Sequence, residues 1–306
     1  MRLDFIFSPT SGLGGSRKGV PGRIRCAVLV LLLIALICAA APWITPQPSG
    51  PESTIDLADA FIRPGETGSA SQLYFALGAD DQGRDMVSLL IQGSRRSLAI
   101  AGGAVLVSML IGTTLGLWAG MSGPWIDKLI MRIADIQLTY PSLLVAMLFF
   151  GVARGSLGEQ YADAMASYVL MLAIAASEWV QYARTVRSAV RIEREKDYVR
   201  AARLAGRSGW AIVTRHIFPN VTVPLMILAP ISFSIAILTE STLSYLGVGL
   251  QGDQPSLGAL IRIGQNFLFS GEWWIIFFPA LILLLLTIST NLLGDWSRDE
   301  LDPRSQ

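Results

Sequence analysis

Six long apolar segments constrain the fold of this chain more than any other feature of its sequence. A helix of about 20 apolar residues spans the ~30 Å hydrocarbon core of a bilayer. Because unpaired backbone groups are costly in lipid, an open chain can cross it only as helices. We therefore predict an all-α polytopic membrane protein with six transmembrane helices, at roughly 26–45, 98–121, 133–153, 167–184, 223–246 and 274–294.

The composition supports a membrane protein and excludes several kinds of site. Of the 306 residues, 52% are hydrophobic and only 15% are charged, whereas soluble domains carry about 25% charged residues. The two cysteines, Cys26 and Cys38, lie in one apolar run, and His216 is the only histidine. The sequence therefore predicts no disulfide framework and no metal site. With a formal net charge of +1, nothing indicates a nucleic-acid partner.

The distribution of basic residues predicts the orientation. Lys and Arg gather in the tail 1–25, in a short turn at 122–132 and in the loop 185–222, whereas 46–97 is rich in Asp and Glu. Cytoplasmic loops of membrane proteins carry the excess of Lys and Arg. With six spans, we expect a cytoplasmic tail 1–25, an external loop 46–97 and a cytoplasmic tail 295–306.

The first apolar segment, 26–45, also resembles a secretory signal peptide. Basic residues precede it, and Ala39-Ala40-Ala41 could form a cleavage site. Pro42 disfavours a cut after Ala41, and Trp43 is an aromatic residue of the kind that anchors membrane spans. We expect the segment to be retained as the first transmembrane helix.

The basic loop between the fourth and fifth spans has an unusual internal pattern. No Pro or Gly interrupts 184–205, so we predict a helix that extends the fourth span. Tyr198, Ala201, Ala202 and Ala205 share one face of it, and most of them are small. The loop 186–222 is thus predicted to present a small-residue face to another surface, although a solvated topology signal is the alternative.

The residues after this helix predict a turn and a second short helix. Gly206 can adopt a positive φ and end the first helix. Ser208 can cap the second, and Pro219 marks its end. Arg200, Arg203 and Arg207 border the small-residue face. Trp210, Val213 and Ile217 are predicted to share one face of the second helix.

No catalytic or nucleotide-binding pattern is present. The chain lacks the G-x-x-x-x-G-K-[ST] phosphate loop, and its single G-x-G-x-x-G, at 247–252, follows a membrane helix where a strand is needed. Ionisable residues inside spans are functional candidates. Glu178 and Glu240 are candidates for a translocation path, whereas Asp135 lies close to the cytoplasmic end of its span.

Four ordered stretches resemble a known family. Arg200-Ala201-Ala202, Gly206 and Pro219 match the spacing of the cytoplasmic EAA loop of ABC importer permeases, with Arg200 in place of the glutamate. The other stretches resemble the C-type permease of the oligopeptide, dipeptide and nickel branch. They are Leu77–Asp85, Leu243–Gly247 and the C-terminal 291–304.

This resemblance implies a type I ABC importer permease fold, with a permease core at 98–294, in the bacterial inner membrane. It implies that a second permease subunit pairs with this one, that two ATPase subunits bind ATP and Mg²⁺, and that an external binding protein delivers the solute. The chain itself would bind no cofactor and catalyse no reaction. It also implies that the ATPase contacts the loop, with these residues in coupling: Arg200, Ala201, Ala202, Arg203, Leu204, Gly206, Arg207, Ser208 and Pro219.

The implied solute is a di- or oligopeptide, with nickel or another small solute as the alternative. Two other classes of function remain open: a secondary transporter or channel that works alone, and a membrane scaffold or sensor. A secondary transporter usually has broken spans or inverted repeats, and the sequence shows no repeat. A scaffold would not need the alanine and glycine pattern of the loop.

Overall fold

The computed structural model describes residues 21–44, 56–157, 165–250 and 255–301. Within these ranges the chain is a helical bundle with one small hairpin on its surface. Its elements are α1 (Gly22–Ala39), α2 (Ala41–Ile44), a 3₁₀ turn (Leu57–Asp59), β1 (Glu66–Thr67), β2 (Tyr74–Phe75), α3 (Met86–Met121), α4 (Pro124–Leu138), α5 (Ser142–Leu157), α6 (Ala166–Glu193), α7 (Asp197–Leu204), α8 (Gly209–Ile212), a π-helical turn (Val213–Ile217), α9 (Phe218–Tyr245), α10 (Leu257–Phe267) and α11 (Trp274–Leu301).

The described part of the chain contains four helices that are long and apolar enough to cross a membrane. They are α1 (Gly22–Ala39), α3 (Met86–Met121), the continuous segment Gly209–Tyr245 formed by α8, the π-helical turn and α9, and the part Trp274–Glu300 of α11. The bent pair α4 and α5 could supply a fifth span. The predicted fourth span lies in α6, which is helical but less apolar, because polar residues such as Glu178 and Gln181 interrupt it. The structure therefore shows a polytopic helical protein with four or five candidate spans.

The prediction of a straight third span at 133–153 is wrong. This segment contains the end of α4 and most of α5, and the two helices meet at 98°. Pro141 lies directly before α5, and proline disfavours a helical conformation in the residue that precedes it. The predicted turn at 122–132 is also wrong, because Pro124 occupies the first turn of α4, where proline is well accommodated.

Other boundaries also differ from the predictions. Helix α3 begins inside the predicted external loop, because Asp85 caps it by accepting a hydrogen bond from the Ser88 backbone N–H at 2.8 Å. Helix α11 continues through the first part of the predicted tail 295–306, as far as Leu301. The rest of that tail and most of the predicted tail 1–25 lie outside the described residues.

Glycines of α3 let α6 approach closely. Gly112, Gly116 and Gly120 recur at four-residue spacing on one face of α3. A Cβ atom at Gly116 would lie 2.6 Å from the Ala183 carbonyl oxygen and 2.7 Å from the Val186 Cβ. These glycines therefore allow close packing, since small residues at helix crossings let backbones meet in membrane proteins.

Gly116→Val is therefore expected to separate α3 from α6 and to destabilise the fold. Overpacking of this kind costs about 1–3 kcal/mol, and here it acts on backbone as well as side-chain atoms. Gly151→Val is the matched control, because a Cβ at that helical glycine meets nothing within 4 Å. Thermal unfolding of both variants in detergent measures the difference, and equal midpoints would contradict the packing account.

The stretch Leu77–Asp85 forms a compact turn over the first turns of α3 and α11. Asp80 accepts a hydrogen bond from the Arg84 Nε at 2.7 Å and another from the Arg84 backbone N–H at 2.8 Å. The Trp274 indole N–H donates to the Ala79 carbonyl at 3.0 Å. This turn therefore holds the start of α11 against the start of α3.

Candidate functional site

Helices α7 and α8 form a small projection between α6 and α9. The predicted continuous helix over 184–205 is wrong, because α6 ends at Glu193 and α7 begins at Asp197. Arg194 caps the end of α3 from this break by donating to the Gly120 carbonyl at 2.9 Å. Basic side chains commonly satisfy the last carbonyls of a helix in this way. The projection is thus anchored to two long helices where they end.

Gly206 ends α7 as the sequence predicts. Its φ is +75°, in the left-handed region that favours glycine. The Arg207 N–H bonds to the Ala202 carbonyl at 3.1 Å, and the Gly206 N–H bonds to the Arg203 carbonyl at 3.0 Å. These two bonds form a Schellman motif. The turn therefore depends on the backbone freedom of Gly206.

Ser208 caps α8 as predicted, by accepting a hydrogen bond from the Ala211 N–H at 3.3 Å. The predicted common face of Trp210, Val213 and Ile217 is wrong. The segment after α8 is a π-helical turn, so the buried residues are Ile212 and Ile217, five positions apart, while Trp210 is 77% exposed. The wider turn of a π-helix changes which residues share a face.

One side of α7 packs inward. Val199 is fully buried in a cluster with Ile212, Ile217 and residues of α6 and α9, and Ala202 packs against the same cluster. The predicted small-residue face is therefore only partly exposed, because Ala202 packs into the buried cluster that supports the projection. Ala201 and Ala205 are exposed.

The opposite side of the projection is an exposed apolar patch within a basic border. Leu204 is 90% exposed and Trp210 is 77% exposed, and Ala201 and Ala205 are exposed as well. Exposed apolar side chains with a polar border are a common feature of protein interaction sites. We call this surface the docking face; it consists of Ala201, Leu204, Ala205, Gly206 and Trp210, bordered by Arg200, Arg203 and Arg207.

Most of the predicted coupling residues lie at the docking face or at its ends. Arg200 approaches Asp197 at 3.9 Å, but both side chains are well exposed, and exposed pairs of this kind contribute little to stability. Ser208 lies in the turn beside Gly206. The prediction that Pro219 ends the second helix is wrong, because Pro219 lies in the first turn of α9, where proline is well accommodated. The arginine border is therefore available to a partner with acidic groups.

A buried carboxylate beneath the projection joins three of its elements. Glu193, the last residue of α6, accepts hydrogen bonds from the Lys196 ammonium and from the Tyr198 hydroxyl of α7. Asn220 of α9 donates to the Tyr198 hydroxyl at 3.0 Å and approaches Glu193 at 3.5 Å. We call this group, Glu193, Lys196, Tyr198 and Asn220, the Glu193 cluster.

The electrostatics of the Glu193 cluster favour a fixed arrangement. Burial raises the pKa of Tyr198 above its ordinary value. The hydrogen bond to Glu193 and the negative charge of the Glu193 carboxylate raise this pKa further. The phenol therefore remains a donor at neutral pH. Hydrogen bonds that involve a charged group are about twice as strong as neutral ones. The cluster therefore joins α7 firmly to the ends of α6 and α9.

A second set of ion pairs joins α4 to α6. Asp127 is buried and accepts hydrogen bonds from Arg187, whose Nη2 lies 2.7 Å from Oδ2, and from Arg191. Asp135, the third candidate inside a predicted span, pairs with Arg184 at an exposed position. These pairs account for several arginines that the sequence offered only as an orientation signal.

The two candidate path residues lie apart from each other. Glu178 of α6 is buried, and Ser142, at the start of α5, bonds to its carboxyl group. It therefore lies beside the break between α4 and α5. Gln137, at the end of α4, secures this break by donating to the Ala176 and Ser177 carbonyls at 2.8 and 3.0 Å.

Glu240 of α9 has no exposed surface in the single chain. The Ser244 and Ser241 hydroxyls donate to its carboxyl oxygens at 2.9 and 3.3 Å, and Ser97 and Ser256 bond to it as well. These serines come from α3, α9 and the cap of α10, so the carboxyl joins three helices. A role for Glu240 in the path stays a prediction.

Sequence analysis did not find the residues that support the docking face. Glu193 and Asn220 were not predicted to have a role, because Asn220 contacts Tyr198 and Glu193 across 22 and 27 positions of the chain. In the described ranges no group of three His, Cys, Asp or Glu side chains is placed to hold a metal ion.

Comparisons with known proteins give one family and a consistent set of relatives. Residues 112–306 match the family described as binding-protein-dependent transport system inner membrane component. The di/tripeptide transport system permease protein DppC of Pseudomonas aeruginosa is 36% identical over 94% of this chain and 88% of its own length. The probable D,D-dipeptide transport system permease protein DdpC of Escherichia coli is 34% identical over 94% of this chain and 89% of its own length.

A solved structure gives an independent comparison of the fold. The inward-facing MetNI methionine ABC transporter is similar with a TM-score of 0.55 over 71% of this chain and 98% of its matched chain. The sequence identity is 18%, so the likeness supports the fold alone.

Proposed function

We propose a transport function from one premise: the chain belongs to the family of binding-protein-dependent transport system inner membrane components. In this proposal it is the transmembrane permease subunit of an ATP-driven importer and has no catalytic role of its own. Its partners are a second, different permease subunit, two ATPase subunits that hold ATP and Mg²⁺, and an external binding protein.

The docking face is the observation that carries the proposal. An almost fully exposed leucine and an exposed tryptophan, Leu204 and Trp210, lie on a projection that the Glu193 cluster holds to α6 and α9. A surface that must transmit motion has to be exposed to its partner and firmly attached to the helices that move. Closure of the ATPase pair would then displace α6 and α9 as a rigid-body movement.

The membrane arrangement completes the proposal. We infer six transmembrane helices in the bacterial inner membrane, with the fourth formed by α6 and the third by the bent pair α4 and α5. Both termini and the loop 186–222 are cytoplasmic, and 46–97 is external, as the excess of Lys and Arg favours. Helix α1, which packs against α11, is retained as the first span, and the permease core covers 98–294.

Glu178 is the stronger of the two candidates for the translocation path. It lies beside the break between α4 and α5, and breaks within spans place polar groups at the depth where transporters bind their solutes. Glu240 is the weaker candidate, because its four serine partners enclose it within the chain. Its carboxyl group instead supports the junction of α3, α9 and α10.

The proposed solute is a di- or oligopeptide, because the two relatives reported above are named for di- or tripeptides and for D,D-dipeptides. Nickel or another small solute is the alternative. Deletion of this subunit is expected to abolish uptake of a radiolabelled dipeptide, and unlabelled di- and tripeptides are expected to compete for uptake in the parent strain. Competition by nickel ions and not by peptides would favour the alternative.

A further inference from the structure

Helix α6 exposes polar side chains along one of its sides, although we infer that it crosses the membrane. Gln181, Arg184 and Ser188 are exposed and recur at three- and four-residue spacing, so they share one face of the helix. The side of α6 that contains Ala183 and Val186 is buried against the glycines of α3. The exposed polar side is therefore not used in the packing of α3 against α6.

Helix α4 carries a matching set of polar residues. Arg132, Asp135 and Thr139, the residue that directly follows α4, are exposed at the same spacing. Asp135 forms an ion pair with Arg184, so the two sets adjoin and form one surface. We call this surface the polar face; it consists of Arg132, Asp135, Thr139, Gln181, Arg184 and Ser188.

Part of the polar face lies at the depth of the hydrocarbon in the proposed orientation. Helix α6 has 28 residues and is about 42 Å long, so it exceeds the ~30 Å hydrocarbon core by about eight residues. Counted from its external end at Ala166, the core reaches roughly position 185. Gln181 and Arg184 therefore lie in the cytoplasmic half of the span, and Ser188 lies just beyond it.

Neither lipid nor a protein partner suits the polar face. Charged side chains at this depth face the interior of a bundle or a water-filled cavity, and lipid contact is too costly for them. The Arg184 and Asp135 side chains are 47% and 54% exposed. A protein interface would remove the water from both charges, and the cost of this desolvation often exceeds the attraction between them. Water is the surrounding that keeps the pair hydrated.

We propose that the polar face lines the cytoplasmic half of the translocation path, an inference that rests on the proposed function as an importer permease. Glu178, the stronger candidate for the path, lies three positions before Gln181 on α6. The polar face therefore continues the path from the break between α4 and α5 towards the cytoplasm. The Arg184–Asp135 pair offers one cation and one anion, which suits a zwitterionic solute such as a peptide with free termini.

The accessibility of single cysteines in the assembled importer tests this proposal. Gln181→Cys and Leu110→Cys are made separately in a chain without its two native cysteines, and inside-out membrane vesicles are treated with a cationic methanethiosulfonate. Leu110 is a matched control, because it is apolar and 63% exposed, and the nearby Gly112 packs against Tyr182 of α6. Without nucleotide, we expect position 181 to react at least about tenfold faster, because a thiol in hydrocarbon forms little of the reactive thiolate.

Nucleotide is expected to control this reaction. ATP with vanadate holds the ATPase pair closed, so the path closes to the cytoplasm and the reaction at position 181 slows. A reaction no faster than at position 110 would overturn the proposal. A fast reaction that neither ATP with vanadate nor an ion gradient slows would also overturn it, because a path must close. Closure by an ion gradient instead of ATP would contradict the proposed importer function alone, since the polar face would still line a gated path.

Arg184→Gln tests whether the charge of Arg184 acts in the path. Positions 181 and 184 are neighbours on the helix surface, with Cβ atoms about 5–6 Å apart. Loss of the cation is expected to raise the ratio of the rates for a cationic and an anionic methanethiosulfonate at position 181, roughly threefold at physiological ionic strength. Arg184→Lys keeps the charge and is expected to keep the ratio. An equal ratio in the two variants would show that Arg184 does not face the path.

Discussion

Replacing Leu204 with aspartate is expected to release the ATPase and to abolish uptake while the chain stays folded in the membrane. Leu204 is 90% exposed, so the substitution removes almost no internal packing. At an interface, an unpaired buried charge is costly. Loss of an interface hot spot costs at least about 2 kcal/mol, which is roughly 30-fold in affinity.

Three measurements separate this effect from misfolding. Membranes that carry Leu204→Asp or Leu204→Met are compared for expression, for ATPase pull-down and for peptide uptake. Methionine keeps an apolar side chain of similar size and is expected to preserve both activities. Gly206→Val, which places a β-branched residue at a φ of +75°, is expected to act like the aspartate variant. Normal uptake in Leu204→Asp and Gly206→Val would contradict the assignment of the docking face.

Replacing Glu193 with glutamine is expected to uncouple ATP hydrolysis from uptake without removing the ATPase. The docking face itself is unchanged, but the projection loses the charge that attracts Lys196 and Tyr198. A hydrogen bond to a charged group contributes about 1.5–3 kcal/mol, so we expect uptake per ATP hydrolysed to fall roughly tenfold. Tyr198→Phe removes one donor and is expected to give a smaller loss in the same direction.

Glu195→Gln is the matched control for this prediction. Glu195 is exposed, close in sequence to Glu193, and its side chain makes no hydrogen bond to the residues that the structure describes. Uptake and ATP hydrolysis are measured on the same vesicles, so that their ratio is independent of protein yield. If the ratio is equal in Glu193→Gln and Glu195→Gln, the Glu193 cluster does not transmit motion.

The local features of the docking projection could be predicted from sequence because each depends on a few neighbouring residues. The backbone freedom of Gly206 and the cap by Ser208 are properties of residue type at a given position. The assignment of the chain to the all-α membrane proteins follows equally directly, since the length and apolarity of a segment decide whether it can cross lipid as a helix.

The errors arise where tertiary contacts decide the structure. The bend at 139–141 depends on Pro141 together with Gln137, whose amide finds its acceptors on α6, about 40 positions further along the chain. A count of apolar residues treats this region as one continuous span. Broken spans also occur in secondary transporters, so the bend alone does not identify the class of transporter; the family match does.

The division of α7 into two sides was likewise not visible in the sequence. Ala201 and Ala202 are the same residue type, but Ala202 packs against the cluster that contains Ile212 and Ile217, while Ala201 is exposed. The π-helical turn places those two isoleucines, and a helical period of 3.6 residues does not predict it. Leu204 and Trp210 therefore become the natural test positions.

Site-specific photocrosslinking from position 204 tests the central claim most directly. A photoreactive phenylalanine analogue replaces Leu204, or Ile192 as a control that is exposed at the end of α6, and the importer is irradiated in native membranes. The account predicts that the analogue at position 204 forms a crosslink to the ATPase subunit far more efficiently than the one at position 192. Crosslinks from position 204 only to lipid or to the external binding protein would show that this surface does not dock the ATPase.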